Sequence, residues 1–266
     1  NFGMVGSKEL WRYKMAEKRK FPTEVVDLPS GGKIYSPDSP IYNGKIEIKY
    51  MTAKEEDILT SQNLIKKGIV IDTLLNSLII TEGIKSDDLI LGDKNAIMVA
   101  SRILAYGPEY EVQVTNPLDG QILTHEFNLA DCPFKELPED VSYESNEFEI
   151  TLPVSKTSLV FKLLTGKEEK LIGREVKSRN RIGGNVSSEM TTRLKHSIIS
   201  VDGDDSKPVI NEFVDNMLSR DSLHLRQEIS RITPDIELKQ EIELGGEAVM
   251  VDVPMTAAFF WPNPDA

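Results

Sequence analysis

Lys45-Ile46-Glu47-Ile48-Lys49-Tyr50-Met51-Thr52-Ala53-Lys54-Glu55-Glu56-Asp57-Ile58-Leu59 decides the fold class. Its first half alternates. Ile46, Ile48 and Tyr50 share one side, and Glu47 and Lys49 take the other, the period of a half-buried strand. Its second half opens with Thr52-Ala53-Lys54-Glu55, where the Thr hydroxyl and the Glu carboxylate can each satisfy the other residue's backbone amide and start a helix. That helix is expected to run to about Asn63.

Upstream, Leu28-Pro29-Ser30-Gly31-Gly32, Pro37, Pro40 and Asn43-Gly44 read as a long turn region. Before it, residues 7–20 suggest a helix capped by Ser7 and stopped by Phe21-Pro22. Downstream, a helix is expected over 69–80. Asp93 is expected to cap another, which Tyr106-Gly107-Pro108 ends. Strands follow at 110–115 and 122–129 around Asn116-Pro117-Leu118-Asp119-Gly120, a hairpin signal. Further strands are expected at 148–152 and 159–164, helices at 167–180, 188–199, 209–218 and 222–232, and a last hairpin pairing 236–244 with 248–253. Regular strand–helix crossovers are missing from this order. The expected fold class is therefore α+β, an N-terminal helical unit with β-hairpins and further helices, and no doubly wound parallel sheet. The expected divisions are 1–27, a basic arm; 28–108, a strand and helical unit; 109–165, a hairpin region; 166–233, a helical region; and 234–266, a hairpin with an aromatic tail.

The 266 residues carry a net charge of -12. The charge is unevenly spread. Residues 1–20 hold +4 and residues 162–195 hold +5, leaving -21 on the other 212. Two readings of the basic segments stand: solvated helix faces, or surfaces that dock on acidic neighbours. The overall acidity disfavours a dedicated nucleic-acid binder. The longest nearly uncharged apolar run, 74–81, is far too short to span a bilayer. No signal peptide opens the sequence, a cytoplasmic origin is expected, and the absence of an initiator Met suggests that a few residues precede Asn1.

The sequence is poor in catalytic and metal motifs. Gly166-Lys167 is followed by Glu168, where a phosphate loop needs a hydroxyl. Asp202-x-Asp204-x-Ser206 imitates the start of a calcium loop, but Lys207 stands where a Gly is needed and Phe213 where a bidentate Glu is needed. His125, His196 and His224 have no ligand spacing. Cys132, the single cysteine, excludes an internal disulfide and has no neighbouring base. No catalytic residue, cofactor or metal is expected. The Phe259-Phe260-Trp261 tail is expected either to fold back on its own core or to insert into a partner.

Several stretches resemble the T-even-type phage baseplate protein family, which includes a hub protein of the contractile tail. They are Leu28-Pro29-Ser30-Gly31-Gly32-Lys33-Ile34-Tyr35-Ser36-Pro37, Gly44 through Leu59, Leu91-Gly92-Asp93-Lys94-Asn95-Ala96-Ile97 running into Ala100-Ser101-Arg102-Ile103-Leu104-Ala105-Tyr106-Gly107, Phe161-Lys162-Leu163-Leu164-Thr165-Gly166, and the 259–262 ending. The match covers 28–130 well and the remainder loosely. Some members of the family carry Cys-x-x-Cys at hairpin turns, which suggests zinc. Here Asn116 and Asp119 hold that spacing, so zinc is not expected. The resemblance implies a non-enzymatic structural component of a contractile-tail baseplate, at the hub or inner baseplate. It would be assembled in the host cytoplasm and carried in the virion. Its implied partners are hub, tube or wedge subunits or copies of itself, with no nucleic acid and no membrane span. The alternatives are a hub-assembly chaperone absent from the mature virion and a tail-associated cell-wall hydrolase. Partner contacts are expected at Trp11, Arg12, Lys18 and Arg19, at Arg174, Lys177, Arg179 and Arg181, and at Phe259, Phe260 and Trp261.

Overall fold

A computed structural model describes residues 22–115, 120–181, 188–244, 247–255 and 257–260. The expected 7–20 helix, the turn at 116–119 and Trp261 lie outside the described residues. Thr23–Asp27 (β1) pairs antiparallel with Lys45–Lys49 (β2), Thr23 opposite Lys49 and Asp27 opposite Lys45. β2 is the alternating strand read from the sequence, with Ile46 and Ile48 buried. β1 falls in the segment expected to be an arm. Thr-Glu-Val-Val-Asp has no strict alternation, and its strand state comes from pairing with β2. The turn region between them is closed by the Leu28 amide donating to the Gly44 carbonyl at 2.8 Å. Gly32, at φ +79°, is required there, because a Cβ would lie 2.2 Å from the Ile41 carbonyl oxygen.

The helix begun at Thr52 runs Ala53–Thr60 (α1) and is interrupted at Ser61, whose φ of -67° and ψ of 103° are extended. Gln62–Lys67 (α2) then restarts, so the single helix expected to Asn63 is two. Val70–Leu78 (α3) buries Leu74, Leu75 and Leu78, each contributing roughly 1.5–3 kcal/mol on transfer from water. Leu91–Tyr106 (α4) starts three residues earlier than expected. Ile90 occupies its N-cap, and Asp93 lies inside the first turn rather than capping it. The Asp93 carboxylate is fully buried and turned towards the 28–44 loop, which is why it is not spent on the helix amides.

Glu109–Thr115 (β3) and Ile122–Asn128 (β4) form the first expected hairpin, Tyr110 opposite Phe127. Phe148–Thr151 (β5), Ser158–Phe161 (β6) and Ile198–Val201 (β7) make a three-stranded antiparallel sheet in the order β5-β6-β7. The segment 188–199 was expected to be one helix. It is Glu189–Ser197 (α6) followed by β7, because Ile198 and Val201 are drawn onto the edge of β6. Gly166–Arg181 (α5), Lys207–Asp215 (α7) and Ser219–Ile232 (α8) complete the helices. Lys239–Leu244 (β8) pairs with Glu247–Asp252 (β9). The fold is α+β, with small antiparallel sheets among helices.

Three apolar clusters hold it. One joins β5–β7 to α6, α7 and α8 around Phe148, Phe161 and Leu225. A second joins α3 and α4 to both hairpins around Tyr110, Phe127 and Ile242. The third packs β2 and the 28–44 loop on α3 and α4. Gly92 marks a close crossing, since a Cβ there would lie 1.9 Å from the Pro234 carbonyl oxygen.

Candidate subunit interface

α5 carries most of the second basic segment. Its start is built by Thr165 and Glu168. The Glu168 carboxylate accepts the Thr165 amide at 2.9 Å and also the Thr165 hydroxyl, the returning half of a capping box. Burial raises the Glu168 carboxyl, but bonds from Lys162 and Thr165 outweigh it and hold it at about 2. Gly166 allows close approach, because a Cβ would meet Lys94 Nζ at 2.5 Å and Asp87 Cα at 2.9 Å.

The first half of α5 spends its cations inside the chain. Lys167 Nζ lies 2.5 Å from Asp88 Oδ1. Lys170 Nζ sits between Asp87 Oδ1 at 2.6 Å and Asp72 Oδ2 at 3.1 Å, and Lys94 joins Asp72 at 3.1 Å. Burial pushes the Asp72 carboxyl up, but Lys170 and Lys94 bring it below its ordinary value. On α6, Arg193 pairs with Glu169 and Glu189, and Lys195 with Asp215 at 2.6 Å. His196 Nε2 is 3.0 Å from Glu175 Oε1.

The second half of α5 is different. Arg174, Lys177 and Arg179 are exposed, and among the described residues none of them makes an ion pair. Among the described residues of the last three turns, only Ile172 is buried. Positive charge near a helix C-terminus also suits the dipole. The cations of α5 thus divide into a paired root and an unpaired end. Arg181 closes the helix, and its side chain lies outside the described residues.

The expected contact residues therefore have different fates. Arg174, Lys177 and Arg179 gather on the free end of one helix. Trp11, Arg12, Lys18, Arg19 and Trp261 lie outside the described residues. Phe259 and Phe260 take the fold-back course. They are 1% and 4% exposed, Phe259 packs edge-on to Tyr110 at 5.2 Å, and the Tyr110 hydroxyl donates to the Pro254 carbonyl at 2.9 Å. In this fold they belong to the chain's own core and present nothing to a partner.

Sequence reading missed the acidic partners of the root, Asp72, Asp87 and Asp88, because charge pairs distant in sequence leave no periodic signal. Residues 131–149 hold a further acidic excess, seven acids against one lysine. That excess was visible in composition.

An open groove of about 440 Å³ lies between α5 and β7, lined by Lys162, Glu168, Leu171, His196 and Lys207 among others. Two carboxylates line it, Asp205 and Glu168, and Glu168 is held ionised by Lys162 and Thr165, with no proton to give near neutral pH. Among the described residues, no group of three His, Cys, Asp or Glu side chains is placed to hold a metal. Asp202 and Asp204 use their carboxylates on the Ser158 and Ser206 amides, each at 2.8 Å. Cys132 is half-buried, and burial pushes its thiol up. No helix of the described residues is long and apolar enough to cross a membrane.

A family model described as T4 bacteriophage base plate protein matches residues 20–261. No curated protein and no solved structure matches the chain.

Proposed function

We propose, since the chain belongs to the T4 bacteriophage base plate protein family, that it is a non-enzymatic building block of the hub or inner baseplate and works by binding neighbouring subunits. The family places it in the phage tail among other baseplate proteins. The finer role rests on the surface of α5. Its root is fixed to the body by Lys167 and Lys170, and its end offers Arg174, Lys177 and Arg179 to solvent without internal counter-ions among the described residues. A rigid, cationic helix end on an acidic chain suits an acidic protein surface, where it would steer approach and fix register more than it would add affinity. Assembly would take place in the host cytoplasm before the tail is completed.

The observation that carries this reading is the family match over most of the chain. Quantitative mass spectrometry of purified baseplates and of mature particles tests it. Fixed stoichiometry relative to other baseplate proteins in both is expected. Presence during assembly but absence from mature particles would overturn the structural role in favour of an assembly factor. Clearing of purified cell wall by the isolated chain would overturn the non-enzymatic part.

A further inference from the structure

Residues 132–147 connect the first hairpin to β5 with no helix and no paired strand beyond the bridge of Phe134 to Ile236. Connections of this length without elements are uncommon and are usually either functional or disordered. This one is firmly held. Lys135 Nζ donates to the Ser230 and Thr233 carbonyls at 2.6 and 3.1 Å. The Tyr143 hydroxyl donates to the Ile232 carbonyl at 2.8 Å. Asn146 both donates to the Leu163 carbonyl and accepts from its amide, each at 2.9 Å. Arg231 grips Asp140 at 2.9 and 3.1 Å. The loop is therefore pre-organised, and a partner need not order it.

What the fastened loop presents is acid around an apolar side chain. Glu136, Glu139, Glu144, Glu147 and Glu149 are exposed, and none of them makes an ion pair among the described residues. Phe134 stands among them 44% exposed. The free end of α5 is the counterpart, with Arg174, Lys177 and Arg179 beyond an exposed Leu171. Among the described residues no ion pair joins the two surfaces within one chain. The root of α5 is committed to the 86–88 turn, and the loop to α8. Each surface lacks the charge that the other supplies.

We propose that the end of α5 docks on the 131–149 loop of a second copy of this chain, head to tail. The inference rests on the reading of α5 as an interface and names its partner. Phe134 and Leu171 form the apolar centre, and the charges form the rim. The two surfaces are different patches, so the contact is heterologous. Copies then close into a ring if the rotation allows, or continue as a filament.

The test uses the full chain in sedimentation velocity at about 50 mM and about 1 M salt, where the screening length falls from more than 10 Å to about 3 Å. The wild type is expected to associate with rising concentration at low salt, at least about tenfold more weakly at high salt. R174E/K177E/R179E and E139K/E144K/E147K are each expected to be monomeric with unchanged thermal melts. Mixed together they are expected to associate again, because the reversed helix then meets the reversed loop and the intact helix of the loop variant meets the intact loop of the helix variant. A wild type that stays monomeric at low salt overturns the self-contact, as does a mixture that fails to associate, while baseplate membership stands. If the wild type self-associates and the helix variant does too, α5 is not the contact. DNA binding by α5 with no self-association would also overturn the proposal.

Discussion

The Ser30 hydroxyl donates to the buried carboxylate of Asp93 at 2.7 Å across 63 residues of chain, and the Ser30 amide donates to the same group at 3.0 Å. The Tyr35 hydroxyl adds a third bond at 2.5 Å and accepts the Ile90 amide at 3.1 Å. Burial raises the Asp93 carboxyl, and the bonds from Tyr35 and Ser30 offset only part of that. The 28–37 motif is thereby locked to the first turn of α4, and its Pro and Gly residues serve the position of Ser30 and Tyr35.

Asp93→Ala leaves two donors of Ser30 and one of Tyr35 unsatisfied in the core. A loss of about 3 kcal/mol is expected from urea unfolding, and about 1 kcal/mol for Ser30→Ala. A loss below about 1 kcal/mol for Asp93→Ala would mean that the loop is held by its backbone bonds alone.

Glu55 gives a pH signature. Burial alone would raise its carboxyl, but bonds from Lys49, Ser77 and Thr52 bring it from 4.5 to about 2. The depressed value means that its stabilisation is complete above about 4.5 and disappears as pH falls towards 2. Glu55→Gln should cost about 3 kcal/mol near neutral pH and flatten the fall of the urea midpoint across that acid range. An unchanged acid limb would show that another carboxylate governs it.

The two halves of α5 should respond differently. Lys170→Ala breaks a bridge to Asp72 and Asp87 that is only partly exposed to solvent. A cost of about 1 kcal/mol, smaller in high salt, is expected from thermal melts. Arg174→Ala, with no internal partner among the described residues, should stay within about 0.5 kcal/mol.

Phe259→Ala removes a buried ring packed edge-on against Tyr110 and Phe260. A cost of about 3–5 kcal/mol is expected by urea unfolding. Wild-type stability would mean that the tail does not rest in the core in solution.

The strand at 45–49, the hairpins and the start of α1 were legible because their signals are local: alternation, turn residues and a capping pair. β1 was not, because its pattern is irregular and its state depends on β2. The break at Ser61 and the switch from α6 to β7 were not, because neither Gly nor Pro marks them. Asp93 has the identity of a helix cap, yet Ser30 and Tyr35 claim its carboxylate. For the interface, composition marked 162–195 as basic. It could not separate Lys167 and Lys170, which meet Asp88, Asp87 and Asp72, from Arg174, Lys177 and Arg179, which meet none of them. That separation exists only once α5 is packed on the 86–88 turn.

The most direct measurement is the amount of this chain in baseplates purified from cells where R174E/K177E/R179E replaces the wild type, normalised to another baseplate protein. If the free end of α5 binds a neighbour, the variant folds normally and its incorporation falls at least about tenfold. Incorporation equal to the wild type would remove α5 from the interface.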